Sequence, residues 1–349
     1  MNRRRFLFTC GTFMFLGINA PLKSDDAWEI NGRAMGTRWR IKALHGLSPT
    51  QRSDLKAAIE ERLETLERIF STYRPTSEIS RFNRSRNLDW QLASPEMVEV
   101  ARISRDVNRI TQGAFDPTLY PLIQLWGFDS QRQQQVPPSA ESVAAARQRV
   151  GYSRLETQSD PPALRKKRTD LEVDFSSSAK GYAVDEVVAL LHREGLHDHL
   201  VQIGGDLRVT GNHITASTTK GWRVGIERLP ASPSTNSSSF PPVSLELLDR
   251  ALSTSGNYRN TLAIEGQSYG HIFDPRTGTP VMRPRVSVSV VHTSSAFSSA
   301  LATGLYALPP DEALRLAEEN HLACLVQEAD TGQSVLRMTS AFQRLTSPP

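Results

Sequence analysis

The sequence predicts an α/β fold of the α+β kind, with mixed sheets flanked by helices in two closely packed lobes. Three observations carry this expectation. At 349 residues the chain exceeds the usual length of a single small domain. With 38% hydrophobic and 22% charged residues, it can bury a sizeable core. Strand-like alternation and amphipathic helical spacing also interleave along the chain, without an internal repeat.

Residues 1–20 read as an export signal rather than as part of the fold. Arg3, Arg4 and Arg5 precede an apolar run from Phe6 to Ile18, too short to span a bilayer comfortably as a permanent helix. The order Arg-Arg-x-Phe-Leu resembles a twin-arginine signal, used to export folded proteins. The body, residues 28–349, is therefore expected outside the cytoplasm. It would be released to the periplasm or held on the periplasmic face of the inner membrane through residues 1–20. Those three arginines also account for most of the net charge of +4, leaving a nearly neutral body with no nucleic-acid footprint. Of two cysteines, Cys10 lies in the signal and Cys324 stands alone, so no internal disulfide is expected.

Within the body, "NGRAMGTRWRIKAL" (31–44) alternates like one strand. Over 50–70, Leu55, Ile59, Leu63, Leu66 and Ile69 recur at helical spacing. Ser94 and Gly113 predict the two caps of a helix over 94–113, and a further helix spans 139–150. "TDLEVDFSSSAKGYAVDEVVALLHREGL" reads as a strand, a small-residue turn and a helix ending near Gly195. "HLVQIGGDLRVTG" and "WRVGIERL" follow as strands, and the Pro/Ser-rich stretch 228–243 reads as a flexible loop. The last third predicts strands near 245–254, 261–272 and 285–292, helices over 295–307 and 310–320, and a closing strand pair.

Chemistry is expected where polar or glycine-rich stretches interrupt these elements: "AMGT" (34–37), "FSTYRPTSEISRFN" (70–83), "GAFDPTLYPLIQLWGF" (113–128), "VDFSSSAKGYAVD" (173–185) and "GHIFDPRTG" (270–278). Taken alone, "GAFDPT" reads as a turn that Asp116 caps and Pro117 closes. A run of small residues at a helix start leaves backbone N–H groups available to an anion. Lys180 in that first turn opposes the helix dipole, a placement that an anion would explain. Gly204 and Gly205 read as permitting close backbone packing. His271 and Asp274 share a turn stiffened by Pro275 and Pro280. Imidazole is the side chain matched to accepting a proton near neutral pH. The plainer alternative is a strand-end histidine satisfied by Asp274.

Together with "GGD" (204–206) and "STSGNYRN" (253–260), these stretches resemble, in their order, the ApbE family of FAD:protein FMN transferases, from about residue 30 to the C-terminus. The resemblance implies an ApbE-like fold with the flavin site between the lobes. It also implies an activity: FAD and Mg²⁺ are bound, the pyrophosphate is broken, FMN is attached through its phosphate to a Ser or Thr hydroxyl of a target protein, and AMP is released. Carried over by residue, Met35 and Tyr73 would line the flavin or adenine pocket. Ala114, Phe115 and Asp116 would touch FAD, Ser177 and Lys180 would approach the pyrophosphate, and Ile272 would pack beside the flavin. The carbonyl of Ala179 would be a metal ligand. His271 would accept the proton of the incoming hydroxyl, with Asp274 orienting the ring or binding the ribose.

The chain departs from the family pattern at the metal. The family's late helix carries Asp-Ala-Leu-Ala-Thr, whose Asp and Thr complete the magnesium site; here "SALAT" places Ser299 at the aspartate position and keeps Thr303. Magnesium prefers hard, anionic oxygens, so Ser299 is a weaker ligand. Asn257 likewise replaces a common aspartate, and "SSS" at 176–178 differs mildly from many relatives. Two other functions would use the same site: a non-catalytic extracytoplasmic FAD-binding protein, and an FAD pyrophosphatase giving FMN and AMP.

Overall fold

The computed structural model describes residues 27–129, 136–212, 221–229, 243–256, 261–265, 267–283, 285–330 and 333–346. The export-signal reading, most of the 228–243 loop and Asn257 lie outside these residues.

One eight-stranded sheet organises the molecule. In spatial order its strands are Trp28–Ala34, Thr37–Ala43, His199–Ile203, Asp206–Thr210, Arg250–Gly256, Val286–His292, Ala323–Asp330 and Gln333–Met338. Every neighbouring pair is antiparallel. Alternation sorts the side chains into two cores. Val201, Ile203, Val288 and Val290 face a helical layer, whereas Leu200, Leu207, Leu252 and Leu325 face a second layer. Trp222–Ile226 and Val243–Leu247 build that second layer as a hairpin, joined by Phe342 of the Ser340–Thr346 helix. A sheet covered on both faces explains why its inner strands are buried along nearly their whole length.

The helical layer follows the predicted spacing. Pro49–Phe70 buries Leu55, Ile59, Leu63, Leu66 and Ile69, and a reciprocal Ser48–Gln51 capping box starts it. Ser94 caps Pro95–Ile110 by accepting from the Met97 N–H at 3.2 Å. Ser176–Arg193 and Ser295–Ala307 lie against each other with almost nothing between them: a Cβ on Gly181 would sit 2.2 Å from the Ser295 carbonyl oxygen. A separate small core of Leu122, Trp126, Val143, Ala146, Ile264 and Phe273 supports the 270–281 turn.

Three stretches that read as single strands are each broken by a turn, two of them into hairpins and the third into strands of different sheets. Residues 31–44 turn at Met35 and Gly36 (φ 51° and 70°), the Val243–Gly256 region at Asp249 (φ 50°), and Thr261–Gly270 at Glu265 (φ 49°). Left-handed backbone at Met, Asp and Glu is uncommon, so the first left-handed residue of each corner carries no glycine signal. The strand expected before the small-residue turn is absent; Asn83 holds Val173 instead, pairing with its N–H and carbonyl at 2.8 Å each.

Candidate functional site

The first turn of Ser176–Arg193 is less open to an anion than its sequence implies. Asp174 accepts from the Ser176 N–H at 2.7 Å, and the Phe175 carbonyl accepts from the N–H groups of Ser178 and Ala179 at 2.9 and 2.8 Å. The chain's own acid thus occupies part of the helix end. Ser177 and Lys180 are half-buried on this turn, and Ala179 is buried. Burial pushes the Asp174 and Asp206 carboxyls up from the ordinary range, while hydrogen bonds and the positive charge of Lys180 act on both in the opposite direction.

Asp206 connects this turn to the next helix. It is 5% exposed, and the hydroxyls of Ser253 and Ser299 both donate to its carboxylate. One step further along, the Ser255 and Thr303 hydroxyls lie 3.1 Å apart, and Thr303 donates back to the Ser299 carbonyl at 3.1 Å. Ser299 and Thr303, four residues apart on one helix, therefore share a face. That face meets Asp206 and Ser255, on two neighbouring strands of the sheet.

A second acid fixes the spacing of the two helices. Asp185 accepts from the Ser294 hydroxyl (2.7 Å) and from the N–H groups of Ser295 (3.0 Å) and Ala296 (3.1 Å), and it pairs with Arg208 at 2.7 Å. Its carboxylate thus caps Ser295–Ala307 from the neighbouring helix.

The segment 114–116 is locked into the fold. Ala114 and Phe115 are buried, and Gly304 leaves room for Phe115, whose Cβ lies 2.7 Å from where a Cβ on that glycine would be. The carboxylate of Asp116 accepts from the Thr118 N–H (2.8 Å), the Thr118 hydroxyl (2.6 Å) and the Tyr152 N–H (3.0 Å). That is the capped turn its local sequence suggests, and the oxygens are committed internally.

His271 is exposed between Gln267–Gly270 and Phe273–Asp274. Beside it Ile272 is buried, in one core with Phe115, Ala300 and Leu301. The turn is pinned from below: Trp126 donates to the Gly278 carbonyl at 3.2 Å, and Val281 to that of Ile272 at 2.8 Å. Asp274 is half-buried, and its carboxylate takes the Arg276 guanidinium at 2.9 Å and the Arg276 N–H at 2.9 Å. It is engaged with its own turn, a role the sequence did not suggest. Aromatic rings continue the wall: Phe128 meets Phe273 edge-on at 5.8 Å, and the Tyr73 hydroxyl reaches the Phe128 carbonyl at 3.5 Å while 54% of Tyr73 stays exposed.

Met35 sits at the left-handed corner of the first hairpin, half-buried against the core that includes Ala179 and Ala183. Its N–H donates to Glu67, which also takes Arg74, the neighbour of Tyr73. Sequence reasoning gave no role to Glu67, Asp185 or Asp206, although the last two stand inside quoted motifs. What they do depends on partners more than a hundred residues away or on other elements, which spacing alone does not reveal.

An α+β scaffold that gathers a lysine, buried carboxylates and a row of hydroxyls around two helix starts defines an enzyme site suited to a phosphorylated ligand. A model of the ApbE family matches residues 35–326, and the chain belongs to that family. It is 32% identical to the FAD:protein FMN transferase of Haemophilus influenzae, over 95% of each chain. It is 34% identical to that of Vibrio cholerae, covering 85% of this chain and 86% of the relative. Among solved structures, the flavin transferase ApbE of Vibrio cholerae superposes with a TM-score of 0.80 at 30% identity, over 91% of this chain and 99% of the other. The apo flavinyl transferase ApbE of Pseudomonas stutzeri superposes equally, with a TM-score of 0.80 at 31% identity over 93% and 98%. Transfer of FMN from FAD to a target protein is the activity of this family.

Proposed function

We propose that this chain transfers FMN from FAD to a Ser or Thr hydroxyl of a target protein outside the cytoplasm, with magnesium at the pyrophosphate. The observation that carries the site reading is charge balance. The charge of Lys180 already acts on two carboxylates, Asp174 and Asp206. A dinucleotide pyrophosphate would add further negative charge, which a divalent cation offsets. Hard oxygens from Ser299 and Thr303, with the Ala179 carbonyl and the phosphate oxygens of the ligand, would be a donor set of the kind magnesium takes. Bound there, Mg²⁺ would neutralise the pyrophosphate and polarise the bond to be broken.

The chain's residues supply the rest. Met35 and Tyr73 offer a soft thioether and an exposed ring to the flavin or adenine. Ser177 and Lys180 bind phosphate oxygens. His271 takes the proton of the acceptor hydroxyl as that oxygen bonds to the phosphorus of the FMN half; the P–O bond to the AMP half breaks, and AMP leaves. Positioning and charge neutralisation provide most of the rate.

Purified protein incubated with FAD, Mg²⁺ and a flavinylation-target domain should give in-gel flavin fluorescence on the target. Free FMN and AMP without labelling would assign a pyrophosphatase, and unaltered bound FAD a carrier. Export through residues 1–20 completes the reading; fusing them to a reporter that works only in the periplasm tests it. Among the described residues no helix is long and apolar enough to cross a membrane.

A further inference from the structure

Asp206 opens a strand whose other side chains obey the two-layer alternation: Leu207 and Val209 go to the hairpin layer, and Arg208 to the helices, where it meets Asp185. A carboxylate that is only 5% exposed on the helical side of a sheet is costly unless something uses its charge. Its hydrogen-bond partners do not require it. Ser253 already lies 2.8 Å from the Ser298 hydroxyl, and Thr303, on the Ser299 face, bonds Ser255 and its own helix. A neutral asparagine would bridge Ser253 and Ser299 equally well. What only aspartate brings is the anion, directly against residue 299, and the surrounding donors are all oxygens. Among the described residues no group of three His, Cys, Asp or Glu side chains could hold a metal by itself. A cation here would therefore draw on one protein carboxylate and on phosphate oxygens, a habit of magnesium at nucleotide sites.

We propose that Asp206 is the anionic protein ligand of the divalent cation in this chain, supplying the charge that Ser299 lacks. This rests on the metal-dependent reading given under the proposed function.

The test is Mn²⁺ binding followed by electron paramagnetic resonance in the presence of ADP, which presents an adenine and a pyrophosphate but has no flavin to transfer. The native protein binds Mn²⁺. Asp206→Asn, shown to be folded by circular dichroism, weakens that binding by more than about tenfold. Adding Ser299→Asp to Asp206→Asn restores it. An unchanged Mn²⁺ affinity in folded Asp206→Asn overturns the proposal. Should that variant not fold, native protein labelled with ¹³C-aspartate gives a ¹³C hyperfine coupling to bound Mn²⁺, and its absence overturns the proposal. If native protein holds no Mn²⁺ with ADP, the metal-dependent reading itself fails, a result distinct from the others.

Discussion

Gly181→Ala separates a helix-propensity argument from a packing one. Alanine in a helix interior is favoured over glycine by about 1 kcal/mol, so propensity alone predicts a more stable protein. The geometry predicts the opposite. The added Cβ would lie 2.2 Å from the Ser295 carbonyl oxygen, 2.6 Å from its carbon and 2.8 Å from the Ala296 nitrogen. These are backbone atoms and cannot rotate away. Reaching ordinary contact at 3.4 Å requires the start of Ser295–Ala307 to retreat by about 1 Å (3.4 − 2.2 Å). That movement stretches the bonds from Ser295 and Ala296 to Asp185, now 3.0 and 3.1 Å long. Hydrogen bonds to a charged acceptor contribute about 1.5–3 kcal/mol each, and overpacking costs about 1–3 kcal/mol. After the propensity gain is subtracted, a loss of about 2–4 kcal/mol is expected. Urea unfolding should show this as a lower midpoint with an unchanged slope. Because the retreat also carries Ser299 and Thr303 away from Asp206 and Ser255, FAD affinity should fall in the same variant. Stability at or above the native level would refute the close helix contact and the site built on it.

Other perturbations follow from the same contacts. Asp185→Ala should cost about 3–5 kcal/mol in urea unfolding, since it removes the partner of Arg208 and the acceptor of the Ser295 and Ala296 N–H groups, leaving the next helix only its Ser294 cap. Glu67→Ala should loosen the left-handed Met35 corner and free Arg74; fluorescence titration should show weaker FAD binding, with thermal stability changed less than affinity. His199 is buried beside the Thr210 hydroxyl at 2.8 Å, and burial pushes its pKa down to about 3, with His192, Arg208 and His197 pushing the same way. The unfolded chain therefore takes up a proton that the folded one refuses. This contribution is complete above the ordinary histidine range and is lost as pH falls through that range toward about 3. Its slope is at most about 1.4 kcal/mol per pH unit. In urea melts from pH 7 to pH 5, His199→Gln should lose less stability than the native protein.

Much of the fold is legible where one physical rule acts alone. The helix over 50–70 is given by spacing, and the cap at Ser94 by a hydroxyl three residues before the N–H it accepts. Legibility fails where tertiary partners override local signals. Met35, Asp249 and Glu265 turn the chain in a left-handed conformation without being glycine, so continuous alternation concealed two hairpins and one crossing between sheets. The small-residue turn reads as an open anion site, yet Asp174, two residues upstream, already serves its first N–H. At the 270–281 turn the histidine and the aspartate are both visible in sequence. Spacing suggests that they act as a pair, whereas the Asp274 carboxylate is engaged by Arg276, and the rigidity comes from Trp126 and the core beneath. Asp206 was visible only as the last letter of "GGD"; its meaning depends on Ser253 and Ser299, brought to it by strand pairing and helix packing.

The most direct measurement is of AMP released against FMN attached, in one reaction of purified protein, FAD, Mg²⁺ and a target domain, run beside His271→Ala. Equal amounts of AMP and protein-bound FMN are predicted for the native chain. The variant should be slower by about a hundredfold or more, the usual size of a general-base contribution. AMP released without FMN on the target, or a variant that labels the target at the native rate, would contradict the account.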